Sequence, residues 1–218
     1  MDKKISIAID AMGGENSPDK IIEATGLFVK NNALKKDYTL NLFGDENIIR
    51  EKLKNLNISQ ENILITNTKS VVSDEETPLT AVKNSKNTSM WNCIQSQING
   101  KSDISLSAGN TGVLLIISRM ILKMMNEVNK PALAGLWPNQ KGMNVVLDLG
   151  ANIECNEDNL VDFAELGAAL YKSLFPKEKP IVSLLNIGSE EIKGTETLKN
   201  TYKRLSGLSN ENNFDFFG

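Results

Sequence analysis

Hydrophobic positions along this chain switch repeatedly between a period of two and a period of about 3.6, the marks of strand and helix. "KISIAI" (4–9) is a short, β-branched apolar run. Ser17 then stands as an N-cap before Pro18 at the first helical position, and Ile21, Ile22, Thr25, Phe28 and Val29 recur at helical spacing. "YTLNLF" (38–43) alternates as a strand does, Asp45 is placed to cap, and Ile48, Ile49 and Leu53 continue as a helix. "NILIT" (62–66) predicts a third strand, and a polar connection, "NTKSVVSDEET", leads through Pro78 into a helical region predicted over 78–99. "DISLS" (103–107) is a fourth strand. The helix after it carries Val113, Ile117, Met120, Ile121 and Met124 against a narrow polar face of Arg119, Lys123 and Glu127, which predicts a mostly buried helix.

Further on, "ALAGLW" and "NVVLDLG" flank "PNQKGM", predicting a strand pair with a short turn. A helix over 157–175, capped by Asn156, leads to strand "IVSLLNIG". Another helix, over 190–205, has Leu198, Tyr202 and Leu205 on one face, and "NFDFFG" begins as a strand. No internal repeat at a fixed period is visible. Strand and helix in alternation predict an α/β fold, a largely parallel sheet with helices on both faces, as a single domain over 1–218.

Four of the predicted strands run into loops of one kind: "DAMGGENSP" (10–18), "SAGNTG" (107–112), "DLGANIEC" (148–155) and "NIGSEEIKG" (186–194). Each sets glycine beside Asp, Asn, Ser or Thr and leads into a helix. In an open parallel sheet such loops share the carboxyl edge, where ligands bind. Glycine admits close backbone approach, and a helix N-terminus presents unpaired N–H groups, so "SAGNTG" reads as a phosphate or oxyanion cradle. Taken alone it also reads as a tight strand-to-helix turn. Asp10 and Asp148, at strand ends, suit metal binding, ligand orientation or proton transfer, and equally suit capping the next turn. Cys155 precedes a helix N-terminus, which would activate a thiol, or is a small buried residue. Lys83 and Lys86 stand one helical turn apart and either line an anion path or are solvated.

Composition narrows the chemistry. With no histidine, Ser–His and Cys–His pairs and histidine metal sites are excluded, and Cys93 and Cys155 alone make neither a zinc site nor a disulfide framework. Neither a metal nor a cofactor is expected. Neither G-x-G-x-x-G nor G-x-x-x-x-G-K-[ST] occurs at these loops, so dinucleotide and nucleoside triphosphate binding lack support. The net charge of -3 offers nothing to attract nucleic acid. "MDKKISIAID" reads as a first strand rather than a secretory signal, and Ser118, Arg119 and Lys123 interrupt the most apolar helix well short of a membrane span. A cytosolic protein, at most attached to a membrane surface, is expected.

The stretches "DAMGGENSP", "DEETPLTAV", "TSM" (88–90), "SAGNTG", "KPALAG", "VVLDLGANIEC" and "LLNIGSEEIKG", in this order, resemble the PlsX family of phosphate acyltransferases of bacterial phospholipid synthesis. The resemblance covers nearly the whole chain. It implies a Rossmann-like αβα sandwich similar to isopropylmalate dehydrogenases and phosphotransacetylases, and transfer of a fatty acyl group from acyl carrier protein to inorganic phosphate. It also implies a homodimer held loosely at the membrane surface, with a membrane-bound glycerol-3-phosphate acyltransferase receiving the product. For that chemistry, Gly109, Asn110, Thr111 and Gly112 are expected to hold phosphate or the oxyanion, with Ser107 beside them. Asp10, Gly13, Gly14, Asp148 and Asn152 are expected as further walls, Asn186 as a substrate contact, and Lys83 and Lys86 as the draw for phosphate or phosphopantetheine. Of these, Asn110, Thr111, Asp10 and Asp148 are the candidates for catalysis.

The sequence departs from the family at Glu15 and Glu154, where Asp is usual, and at Lys83 and Lys130, where Arg is common and would offer a bidentate fork. The family also continues past "FDFFG" with another glycine-rich loop, further strands and helices thought to touch the membrane, so an incomplete C-terminal part is expected. The competing readings are a related acyl-CoA phosphotransferase and a non-catalytic homologue that binds acyl carrier protein or a membrane partner.

Overall fold

The computed structural model describes residues 4–32, 37–73, 75, 77, 80, 83–188, 193–208 and 214–218. The chain divides into two compact units, Met1–Lys123 and Met124–Gly218. The first is built on strands β1 (Ile5–Asp10), β2 (Tyr38–Gly44), β3 (Ile63–Asn67) and β4 (Ile104–Leu106), joined by helices α1 (Asp19–Asn31), α2 (Glu46–Asn55), α3 (Ser89–Ile98) and α4 (Thr111–Leu122). All strand pairs are parallel, in the order β3-β2-β1-β4, with Ile7 of β1 opposite Leu40 on one side and Ile104 on the other. A parallel sheet of this kind is covered on both faces, and β2 is buried along nearly its whole length: Tyr38, Leu40, Leu42 and Phe43 are apolar, while buried Asn41 accepts the Thr66 hydroxyl on Oδ1 at 2.9 Å. Leu40 and Leu42 pack with Ile22 of α1 and Ile49 and Leu53 of α2, while Met90 and Ile94 of α3 pack with Val113, Ile117 and Ile121 of α4.

Helix starts follow local chemistry, with instructive exceptions. Asp45 caps α2 as expected, its carboxylate accepting from the N–H groups of Asn47 and Ile48. Ser17 does not cap α1. Pro18 occupies the N-cap position, and the Ser17 hydroxyl turns back to donate to the Gly13 carbonyl at 2.5 Å. Of the helical region expected over 78–99, positions 78, 79, 81 and 82 lie outside the described residues. Nearer the sheet, Asn87 takes φ +70° and Thr88 caps a new start, its hydroxyl accepting from Trp91 N–H, so α3 begins only at Ser89. The next helix, α4, is shorter than its apolar run: Lys123 adopts φ +68° and ends it at Leu122. Val113, Ile117 and Ile121 are buried, but Met120 and Leu122 are exposed.

The second unit holds β5 (Gly135–Asn139), β6 (Gly142–Val146), α5 (Glu157–Leu174), β7 (Ile181–Val182), α6 (Glu196–Leu208) and β8 (Asp215–Phe216). β5 and β6 form an antiparallel hairpin, and β7 pairs with β8 in parallel. The hairpin reaches deeper into "PNQKGM" than expected, because Asn139 pairs with Gly142 and leaves only Gln140 and Lys141 to turn. Asn156 caps α5 in a reciprocal box with Asn159. The core here is Val161, Ala164 and Ala168 of α5, Leu205 of α6, and Phe214. Residues 189–192, where the last helix was expected to begin, lie outside the described residues. Within α6, Thr201 and Leu205 are the buried positions; Tyr202 is exposed and meets Phe216 edge-on. Among the described residues no helix is long and apolar enough to cross a membrane.

Candidate functional site

β1 and β4 are parallel neighbours, so the loops that follow them leave the same edge of the sheet side by side. Missing side chains let these loops touch. A Cβ on Gly14, whose φ is +93°, would lie 2.4 Å from the Ala108 carbonyl oxygen. One on Gly13 would lie 2.4 Å from Asp10 Oδ2 and 3.0 Å from Ser107 Oγ. One on Gly109 would lie 2.8 Å from Met90 Cε at the start of α3, and 3.4 Å from Gly13 Cα. Part of the bareness of "DAMGG" and "SAGNTG" is therefore filled by the loops themselves.

Polar groups join the two loops. Asp10, 1% exposed, accepts the Ser107 hydroxyl proton at 2.7 Å on Oδ2 and the Met12 N–H at 3.3 Å on Oδ1. Ser107 Oγ in turn accepts the Gly109 N–H at 3.1 Å. That amide is directed at Ser107, not at an open cradle, which corrects the expectation for Gly109. Asn110 caps α4 through Oδ1, which accepts from Val113 N–H at 3.1 Å, and its carbonyl accepts from Leu114 N–H at 2.9 Å. Thr111 and Gly112 follow as the first helical residues, whose N–H groups have no partner within the helix. Beneath the loops Cys93 is buried, and this burial, with the Asp10 carboxylate nearby, pushes its thiol up to about 12.

Lys83 and Lys86 are both exposed. They do not share a helical turn: Ser85 and the Asn87 bend separate them from α3, and the Ser85 carbonyl takes the Thr88 N–H and hydroxyl.

Asp148 and Asn152 meet within the second unit. Asp148 Oδ1 accepts from Leu133 N–H at 2.9 Å and Ala151 N–H at 3.1 Å; Oδ2 accepts from Asn152 N–H at 2.7 Å and its side-chain amide at 2.9 Å. Partial burial works to raise its pKa, but these donors outweigh it and hold the carboxyl below its ordinary value. A carboxylate has about four acceptor positions, and here four donors fill them, so Asp148 organises its turn instead of carrying a proton. Asn152 also donates to the Pro131 carbonyl at 2.8 Å. The Leu147–Asp148 peptide bond is cis.

Cys155 is not activated. Burial raises its pKa and the Asp148 charge adds to this, against the opposing pull of Lys130, whose ammonium donates to the Glu154 carbonyl at 2.7 Å. Asn186 is exposed and accepts its neighbour Ile187's N–H at 2.8 Å, while Gly194 (φ +86°) comes close enough that a Cβ would meet the Asn186 amide at 2.8 Å. The four glycine-bearing loops do not leave one sheet: those after β6 and β7 follow a separate hairpin and a separate two-stranded pair. Among the described residues no group of three or more Cys, Asp or Glu is arranged to hold a metal ion.

The sequence did not single out Met90 as a contact of the "SAGNTG" turn, although "TSM" contains it. The tie between Asp10 and Ser107 was also missed as a tie, although both residues were candidates.

The model of the family described as fatty acid synthesis protein matches residues 5–218. This chain belongs to that family. Its PlsX character is carried by relatives named phosphate acyltransferase. The one from Pelagibacter ubique (strain HTCC1062) is 50% identical over 218 residues, all of this chain and 64% of its own. Those from Maricaulis maris (strain MCS10) and Anaplasma phagocytophilum (strain HZ) are 39% and 35% identical, covering 89% and 100% of this chain and 55% and 63% of theirs. The family member described here thus spans less than two thirds of the length of these relatives. Among solved structures, a phosphotransacetylase from Streptococcus pyogenes aligns with TM-score 0.69 at 15% identity, over 97% of this chain and 67% of its own. The EutD phosphotransacetylase from Staphylococcus aureus aligns with TM-score 0.67 at 15% identity, over 99% and 68%. At that identity the likeness concerns the fold, which agrees with the α/β architecture expected from the sequence.

Proposed function

We propose that this chain takes part in transfer of a fatty acyl group from acyl carrier protein to inorganic phosphate, yielding acyl phosphate and free carrier protein. The observation that carries this reading is the 50% identity, over all 218 residues, to a phosphate acyltransferase. The geometry of the first unit supports it. Two loops interlock beside the N-terminus of α4, where the Asn110 cap uses Val113 N–H and the first-turn amides of Thr111 and Gly112 remain outside the helix's own ladder.

In the reaction a phosphate oxygen attacks the thioester carbonyl, a C–O bond forms, and the C–S bond breaks with departure of the thiolate. Phosphate is already an anionic nucleophile, so position matters more than a strong base, in keeping with a chain that has no histidine. Thr111 and Gly112 N–H groups hold phosphate or the carbonyl oxyanion, with the Asn110 amide as a further polar group at the turn. Asp10 and Ser107 fix the loop from behind. Asp148 and Asn152 shape the turn after β6, and Gly13 and Gly14 allow the loops to close on each other. Lys83 and Lys86 serve as outer contacts for phosphate or the phosphopantetheine arm. The reading places the protein in the cytoplasm as a homodimer, peripherally at the membrane, passing acyl phosphate to a glycerol-3-phosphate acyltransferase.

The test supplies labelled phosphate with either long-chain acyl carrier protein or long-chain acyl-CoA and follows label into acyl phosphate. Label incorporated from the carrier-protein thioester supports the reading. Incorporation from acyl-CoA alone would make the protein an acyl-CoA phosphotransferase, and carrier-protein binding without turnover would make it a binding homologue.

A further inference from the structure

We infer that Asp10 and Ser107 form a positioning pair that sets the phosphate-binding turn, and that Ser107 is not itself a phosphate ligand; this rests on the acyl-transfer reading above. The pair links residues 97 positions apart, at the ends of two adjacent parallel strands. A serine hydroxyl has one proton to give and lone pairs to receive. Here the proton goes to Asp10 Oδ2 at 2.7 Å, and a lone pair takes the Gly109 N–H at 3.1 Å. Ser107 thus fixes the orientation of the Gly109 amide and of the two residues that lead into α4. Asp10, almost wholly buried, cannot turn toward a ligand in solvent, and Gly13 leaves room for both groups, since a Cβ there would strike each of them. The same carboxylate also receives Met12 N–H, so one buried group ties the first residues of both loops. A ligand amide displaced by a fraction of an ångström loses much of its value in positioning a nucleophile. The pair therefore acts through the turn, and its effect falls on phosphate recognition.

Ser107→Ala removes one oxygen from a half-buried residue and so tests the tie with little disturbance to packing; Ser107→Thr keeps the hydroxyl. Two readouts are measured on the 218-residue chain: steady-state kinetics with phosphate varied, and amide hydrogen exchange at Gly109 by NMR. Ser107→Ala is expected to raise KM for phosphate about tenfold, more than it changes kcat, and to speed Gly109 exchange by at least about tenfold. Ser107→Thr is expected to restore both toward wild type. An unchanged KM for phosphate, or Gly109 exchange as slow in Ser107→Ala as in wild type, overturns the inference. If wild type itself makes no acyl phosphate, the functional reading is what fails. The exchange readout then still decides the tie: faster Gly109 exchange in the alanine variant supports it, and unchanged exchange refutes it.

Discussion

Replacing Gly14 with alanine tests the interlock of the two loops without reference to any activity. Two costs are legible. At φ +93° an L-residue is strained by about 1–2 kcal/mol relative to glycine. The new Cβ would also stand 2.4 Å from the Ala108 carbonyl oxygen and 3.0 Å from its carbon, backbone atoms that cannot swing aside as a side chain does. Overpacking of this kind costs about 1–3 kcal/mol. Together the substitution should destabilise the first unit by about 2–5 kcal/mol, a fall of roughly 4–20 °C in Tm for a chain of this size. Gly100→Ala is the matched control: it also has positive φ, +66°, but nothing lies within 4 Å of its Cβ, so only the backbone strain remains. Gly207→Ala, inside α6 and in open space, should go the other way and stabilise by up to about 1 kcal/mol. Urea unfolding followed by circular dichroism ranks the three. A Gly14→Ala midpoint no lower than that of Gly100→Ala would refute the close approach of the loops.

Other consequences follow from single groups. Asn110→Ala removes the cap of α4, at a cost of about 1 kcal/mol, and should lower turnover. Asn110→Ser keeps an oxygen to receive Val113 N–H but lacks the amide NH2, so loss of about 100-fold in kcat with the serine variant would assign that NH2 to the oxyanion, and near-normal turnover would leave Asn110 as a cap. Asp148 has a folded pKa below its ordinary 3.8, so the stability it contributes is present above that value and disappears as pH falls through the lower folded pKa. Wild type should therefore lose more stability between pH 6 and pH 3 than Asp148→Asn does, as read from urea midpoints; parallel losses would contradict the four-donor account. In native protein at pH 8, a thiol reagent should leave Cys93 unmodified and modify Cys155 slowly, and both should react quickly in urea. Rapid native modification of Cys93 would contradict its burial.

Local chemistry carried much of this structure into the sequence. Asp45 and Asn156 announce α2 and α5 because a side-chain oxygen beside the first turn is a local device, and the alternation of "YTLNLF" announces β2 as a strand, though not that both of its faces are covered. The candidate glycines were visible too, but not the reason for them. Gly13, Gly14 and Gly109 are bare partly because two loops separated by more than ninety residues approach each other, and no local pattern records that distance. Local cues also misled where a group had another partner within reach. Ser17 looks like a cap but donates to Gly13, four residues back; for Cys155 the sequence offered two roles, and burial, not the helix end, governs its thiol. Similarly, Asn87 in the left-handed region and Thr88 as a cap broke a helix whose periodicity ran through them. Glycine spacing, finally, could not say that the loops after β6 and β7 follow strands outside the four-stranded sheet.

The most direct test of the central claim incubates the 218-residue chain with long-chain acyl carrier protein, with and without inorganic phosphate, and traps acyl phosphate with hydroxylamine as the hydroxamate. The account predicts hydroxamate that depends on phosphate, rises above the background from the thioester itself, and falls in Asn110→Ala. Hydroxamate that is the same with and without phosphate, both in this chain and in one extended to the full length of its relatives, would contradict it.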